Sequence, residues 1–246
     1  MVDIYFISIY LIIFLITFIQ SIAGVGVLVI GTPIMLIFNF EIVEIMYFLL
    51  PLSMLTSLIN LYFVKFVFKE KVIFEKKIIK HFFLITFIGL VFGLLVLKNY
   101  SKLINFNIVV SCIIFISVLI KINYSQVNTI NLNIRKFFLF VIGIVHGLTN
   151  SGGTLLTLLM FNSKKNVRGA IHFFYFFLAF VQLLILQLIT KNYKVLDINW
   201  YLIIIFVLTS VILGNYFFKK FKSKVSYLVY FLALFSSIVL ILKSLV

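Results

Sequence analysis

Acid is what this chain has least of. Asp and Glu together number 6 in 246 residues, and Asp3, Glu41, Glu44, Glu70, Glu75 and Asp197 all stand at the edges of apolar stretches or between them. No acid pair is available inside those stretches for general acid–base work, and three dispersed histidines supply neither a metal set nor a base beside a nucleophile. The chain therefore reads as no enzyme, with no cofactor and no metal site expected. Cysteine is almost as scarce. The single Cys112 rules out a disulfide framework and a thiolate cluster, and inside an apolar run it reads as a small core hydrophobe. Charge of either sign makes up only 11% of the residues against 64% hydrophobic, where soluble domains carry about 25% charged and 45–50% apolar. No soluble fold of this length could cover that much apolar surface.

What the chain does have is length of apolar run. A membrane helix needs about 20 mainly apolar residues, and eight runs come near or exceed that: 4–38, 42–64, 82–97, 103–120, 137–161, 170–189, 198–218 and 225–242. The fold class is thus all-α and polytopic, with the lipid bilayer as partner and a bacterial inner membrane as the expected location. The net charge of +15 suits either a nucleic-acid partner or the Lys/Arg excess of cytoplasmic membrane loops. Because the basic residues sit between apolar runs, the second holds and no nucleic acid is expected. Asp3 replaces the basic start of a signal peptide, and the first run continues to Phe38 without a small-residue cleavage site. The first segment is therefore expected to stay in the mature protein.

Four runs fall on each side of a polar stretch, 121–136, so 1–120 and 137–246 read as two homologous membrane repeats joined by a linker. The first run of each repeat carries an unusual cluster: QSIAGVGVLVIGTP from Gln20 to Pro33, and HGLTNSGGTLLTLL from His146 to Leu159. Placing Ser21 on Gly147 puts Gly24 on Asn150, Gly26 on Gly152 and Val27 on Gly153 without a gap. Glycines and hydrogen-bonding side chains in mid-membrane are costly unless the broken backbone is buried in protein or lines a cavity. Close helix packing accounts for Gly89 with Gly93 and for Gly143 with Gly147. Matching Gly-interrupted segments in two halves point instead to a transporter's substrate site.

At these residues the chain resembles the TauE/SafE family of sulfite-exporter-like permeases. Gln20, Ser21, Gly24, Gly26 and Pro33 match its first motif, and Gly147, Leu148, Thr149, Asn150, Gly152 and Gly153 its second. Further similarity lies in Pro51 and in Val167-Arg168-Gly169. Asn150 stands where the family commonly has glycine, Val27 and Leu28 replace a longer glycine run, and Leu159 replaces a second proline. The resemblance implies export or uptake of a small anion such as sulfite, a sulfonate or a related organosulfur or carboxylic acid. Chemistry agrees, because a helix N-terminus offers unpaired N–H groups and roughly half a positive charge to an anion. Each cluster would supply one N-terminus, after Gly26 and after Gly152. Gln20, Ser21, Thr149, Asn150, Ser151 and Thr154 would add neutral donors, and Arg168 would draw the anion in. A passive anion channel and a subunit without transport of its own remain open alternatives.

With no acid inside the runs, proton coupling falls to His146 and His172. Orientation follows from counting the 21 Lys and Arg. Eight full crossings divide them 12 to 9; if the first run of each half enters and returns as a re-entrant pair of short helices, they divide 16 to 5. The second split obeys the positive-inside rule. The 35 residues of 4–38 accommodate two short helices, and the 25 of 137–161 a shallower pair. Three crossings per half then make the repeats inverted, with 65–80, 164–168 and 219–224 facing the cytoplasm.

Overall fold

The computed structural model describes residues 2–24, 26–72, 76–123, 132–160, 168–190, 199–221 and 225–245. Their regular structure is helical, as it must be where only intrasegment hydrogen bonds can pair the backbone away from water. The first half contains α1 (Val2–Ala23), α2 (Val27–Ile37), α3 (Ile42–Tyr62) continued by a π-helical turn (Phe63–Val67), α4 (Lys76–Tyr100) and α5 (Phe106–Asn123). The second contains α6 (Leu132–Thr149), α7 (Gly152–Met160), α8 (Arg168–Ile189), α9 (Trp200–Phe221) and α10 (Val225–Leu245). Eight runs thus become ten described helices, because the first run of each half breaks at its glycine cluster. Ile42–Val67, His81–Tyr100, Arg168–Ile189 and Trp200–Lys220 are long and apolar enough to cross a membrane by themselves. Much of the linker, and parts of the three basic stretches expected on the cytoplasmic side, lie outside the described residues.

Helices outrun the apolar stretches that announce them. α4 starts at Lys76 rather than Phe82, and α6 at Leu132 rather than Phe137. A helix that has formed in hydrocarbon continues into the interface, where polar residues find water without leaving the helix. With 18 residues, or about 27 Å, α6 is a deep helix and not the shallow one that its apolar run suggested. Each pair formed from a broken run doubles back on itself. Ser8, Ile9 and Ile12 of α1 line one small apolar cavity with Met35 of α2 and Phe38 just beyond it, so α2 returns along the helix that precedes it. Asn39, in the left-handed region at φ 65°, ends α2, and Lys243 of α10 donates to the freed carbonyls of Leu36 and Ile37 at 2.8 Å each. A cation there also complements the helix dipole.

The halves interlock. Tyr10, Thr17 and Phe18 of α1 meet Phe206, Ser210 and Phe217 of α9 in the same order, so these helices run parallel. α4 and α6 also run parallel and come closer still. A Cβ on Gly89 would lie 2.3 Å from the Phe140 carbonyl oxygen, and one on Gly143 2.3 Å from that of Thr86. These glycines serve backbone-to-backbone packing, as expected. α3 and α8 run antiparallel, with Asn60 beside Arg168 at one end and Met46 beside Gln182 at the other. The pairing of elements is preserved when the halves are exchanged: α1 with α9 maps onto α6 with α4, while α3 with α8 and α5 with α10 map onto themselves.

One expectation is corrected. Cys112 is exposed, not core, on the outward face of α5 with Phe115, Ile116 and Leu119. An apolar run marks a helix as membrane-embedded without telling its lipid face from its protein face. This contrast gives a test: Gly143→Val, whose first added carbon would meet backbone, should destabilise the purified protein by about 1–3 kcal/mol or more. Cys112→Val should stay within about 0.5 kcal/mol. Thermal melting in detergent measures both, and equal melting of the two variants would reject the close α4–α6 contact.

Candidate functional site

The first break is built on one left-handed residue and one glutamine. Gly24 adopts φ +77° and its N–H bonds the Gln20 carbonyl at 2.8 Å, closing α1. The chain reverses at Gly26, where a Cβ would lie 2.5 Å from the Gln20 nitrogen and 2.8 Å from the Ile16 oxygen. Only glycine lets α2 begin this close to α1. The first N–H groups of a helix have no intrahelical acceptor; here the Val27 N–H is taken by Gln20 Oε1 at 3.0 Å, and Gln20 Nε2 donates to Ser57 Oγ at 3.1 Å.

Around this break lies a buried polar network that the sequence reading did not find. Ser21 Oγ donates to the Thr17 carbonyl at 2.8 Å and accepts from Asn60 Nδ2 at 3.1 Å. Asn215 Nδ2 donates to Asn60 Oδ1 at 2.9 Å, and Thr17 and Ser210 share a hydroxyl bond of 2.6 Å. Into this network reaches Arg168, the first residue of α8. Its Nη2 donates to the Ser21 carbonyl and, at 2.7 Å, to Asn215 Oδ1. Its guanidinium lies 4.1 Å from the centre of the Phe218 ring, an arrangement suited to a planar, weakly hydrated cation.

The second break repeats the backbone of the first. Asn150 adopts φ 62° and its N–H bonds the His146 carbonyl at 2.9 Å. A Cβ on Gly152 would lie 2.5 Å from the Ile142 oxygen and 2.9 Å from the His146 nitrogen. Gly24 and Asn150, Gly26 and Gly152, Gln20 and His146, and Ile16 and Ile142 are each separated by the same number of residues, which is the gap-free register expected. The departure at Asn150 also has its reason, since Asn tolerates the left-handed region better than other side chains do.

Most of the predicted donors are engaged within the protein. Thr149 Oγ1 donates to the Val145 carbonyl at 2.8 Å and Ser151 Oγ to that of Thr149 at 3.3 Å. Thr154 Oγ1 has the Ser151 carbonyl at 2.9 Å and Ser117 Oγ at 3.0 Å. Both ends of Gln20 and the hydroxyl hydrogen of Ser21 are occupied as well. Three predicted residues keep buried polar atoms without a hydrogen-bond partner among the described residues: His146 at both ring nitrogens, Asn150 at Nδ2, and Arg168 at Nε and Nη1.

The two breaks lie along the same stretch of α8: a Cβ on Gly24 would be 3.7 Å from the Ile171 side chain, and one on Gly153 would meet Tyr175, one turn further on. Arg168 touches the first, and Gln182 donates to Asn150 Oδ1 at 2.9 Å and to the His146 carbonyl at 3.1 Å in the second. The two residues lie roughly 20 Å apart along the helix. Between them His172 and Tyr175 share the same face at helical spacing, fully buried and with His172's ring nitrogens and Tyr175's hydroxyl unpartnered. On the facing helix α3, Ser53 is likewise buried with an unpartnered hydroxyl. Arg168, His172, Tyr175 and Gln182 thus form a polar seam on the buried face of α8, with Leu178 and Ala179 before the last of them. On its α8 side Arg168 and His172 were read from the sequence, while Tyr175 and Gln182 were missed although their helical spacing from Arg168 is a signal that could have found them; Asn60 and Asn215 are single polar residues in apolar helices and gave no pattern. Among the described residues no three His, Cys, Asp or Glu lie together as a metal set.

The capping role of Gln20 is open to measurement. Gln20→Leu leaves the buried Val27 N–H unpaired and should cost about 1–3 kcal/mol of stability, read as a lower melting temperature in detergent. A variant as stable as the parent would show that Gln20 does not hold the first break.

No curated protein and no solved structure matches the chain. The family model described as sulfite exporter TauE/SafE matches residues 9–242. With broken helices at both motifs and that match over nearly its whole length, the chain belongs to the sulfite exporter TauE/SafE family of multi-pass membrane transporters.

Proposed function

We propose that the protein carries a small anion, sulfite, a sulfonate or a related organosulfur or carboxylate anion, across the bacterial inner membrane by alternating access. The observation that carries this reading is the buried seam along α8, which joins two helix breaks of matching backbone. A polar seam in a hydrocarbon interior lowers the barrier for an anion only if it offers donors. Arg168, Asn150 and His146 hold such groups without protein partners, and a buried donor without an acceptor is costly until a ligand supplies one. His146 and His172, both on the route, are the groups suited to carry a coupled proton.

Alternating access is supported by the directions of the helices. In an inverted repeat, equivalent crossings run oppositely, and α3 and α8 do so. Eight full crossings would make them parallel. The 16 to 5 division of Lys and Arg favours the same topology and sets the richly basic side in the cytoplasm.

Flux in proteoliposomes tests the function. Sulfite, thiosulfate, sulfonates and small carboxylates are offered with and without a pH gradient; accumulation of one of them against its gradient is expected. Downhill flux alone would favour a channel, and no flux a subunit. Gly152→Leu and Gly153→Leu should each reduce uptake at least a hundredfold in inserted protein, because a side chain there fills the approach to the α7 backbone. Near-normal uptake in both would reduce the second cluster to packing.

Topology is tested separately. In a Cys112→Ser background, single cysteines at Lys71 and Lys220 should both resist an impermeant maleimide on intact cells and react once the cells are opened. Labelling of Lys220→Cys alone would mean eight full crossings.

A further inference from the structure

The two breaks share a backbone and part company at three matched positions. Where the first has Gln20, Val27 and, on the helix that follows, Leu49, the second has His146, Gly153 and Tyr175, each at the same separation in the chain. Gln20 closes the mouth of α2 by accepting the Val27 N–H at 3.0 Å. The Val27 side chain is fully buried there, and Leu49 packs against α2 beside it, 3.0 Å from where a Cβ on Gly31 would stand. That mouth is closely packed and its first N–H is already taken.

The mouth of α7 is packed as closely, but the polar groups at it are not engaged in the same way. Gly153 has no side chain, and the Tyr175 hydroxyl reaches over it: a Cβ on Gly153 would lie 2.0 Å from that oxygen. The hydroxyl is completely buried and has no hydrogen-bond partner among the described residues. One residue earlier, a Cβ on Gly152 would lie 2.7 Å from the His146 Cβ. Both ring nitrogens of that buried histidine are unpartnered too. Two polar side chains therefore flank the first turn of a nine-residue helix, at its positive end, with the Tyr175 hydroxyl in the place that a side chain at Gly153 would take.

We propose that the transported oxyanion is seated at the mouth of α7, held by the Tyr175 hydroxyl, which it draws off Gly153, and by the first amides of the helix, while the mouth of α2, its Val27 N–H capped by Gln20, does not seat it. The inference rests on the anion-transport reading and assigns the ligand to one break of the two. A deprotonated oxyanion fits this seat because it presents several lone pairs to groups that donate. The phenol and the first amides of the helix are donors toward it, and a neutral imidazole contributes one N–H. An apolar or cationic ligand would leave those donors unpaired.

Tyr175→Phe tests this in the whole chain, because it keeps the ring and removes only an oxygen that no described residue holds. Uptake of radiolabelled sulfite, thiosulfate, a sulfonate and a small carboxylate is measured in proteoliposomes, and melting in detergent with and without each anion. KM for the transported anion should rise about ten- to a hundredfold, the value of one hydrogen bond to a charged group. The anion-induced rise in melting temperature should vanish, and the ligand-free melting temperature should not fall. If Tyr175→Phe does not fold, Tyr175→Leu, which copies the first half, gives the same reading. An active parent whose Tyr175 variants keep KM within twofold overturns this inference and leaves the transport reading standing. A parent that neither transports nor is stabilised by any of the anions overturns both.

Discussion

A helix interrupted inside hydrocarbon must find partners for the backbone groups it frees, and this requirement organises the protein. Each break exposes the last carbonyls of one helix and the first N–H groups of the next, with no water to receive them. The chain meets the requirement locally with a left-handed residue, Gly24 or Asn150, that folds its own N–H back onto the preceding turn. It meets the remainder with side chains from far away in sequence. Gln20 takes the Val27 amide, Arg168 takes the Ser21 carbonyl, and Lys243 takes the carbonyls at the far end of α2. Much of the polar content buried in this apolar chain is thus committed to keeping two helices broken.

Arg168 shows how far that commitment goes. A guanidinium in a bilayer is costly by itself, and here it is surrounded by amide oxygens from α3 and α9, a backbone carbonyl of α1 and an aromatic face. It binds the start of α8 to the first break as Gln182, later on the same helix, binds it to the second. Only one of these two anchors is charged, so the seam along α8 is electrically uneven. An anion moving along it would leave or approach a fixed cation at the first break and meet only neutral donors and a helix N-terminus at the second.

What could be read from the sequence was what hydrocarbon makes conspicuous. Glycines with Ser, Thr, Asn and Gln inside apolar runs stand out because they are expensive there, and the register between the clusters was visible because no gap interrupts it. The closeness of α4 and α6 was legible for the same reason, from glycines spaced four apart. Asn60, Asn215 and Ser210 were not, because one polar residue in an apolar helix does not say which neighbour it will face. Nor could the sequence reading tell that Cys112 points outward, since a uniformly apolar helix has no strong polar face to orient it. The role of each predicted donor depended on geometry alone. Ser21, Thr149, Ser151 and Thr154 turn their hydroxyls to nearby carbonyls, a competition that short polar side chains enter wherever a carbonyl is within reach.

The symmetric contacts also decide which parts can move together. Close contacts join helices of different halves: α6 lies against α4 through glycine on both sides, and α1 lies against α9, where a Cβ on Gly214 would come within 2.7 Å of the Ser21 Cβ. Interfaces at backbone distance resist sliding, because any shift drives carbonyls into Cα atoms. Each broken pair is therefore held at backbone distance by a long helix of the other half, so α1 with α9 and α6 with α4 would move as two bodies. The α3–α8 pair is of another kind, carrying the Ser53 hydroxyl on one helix and the His172 imidazole on the other, both buried and without a partner among the described residues. A surface with polar atoms unmatched in one arrangement loses less on rearrangement than one packed at van der Waals contact throughout. Relative motion of the two bodies would thus be taken up along α3 and α8, which is where the seam joins the first break to the second.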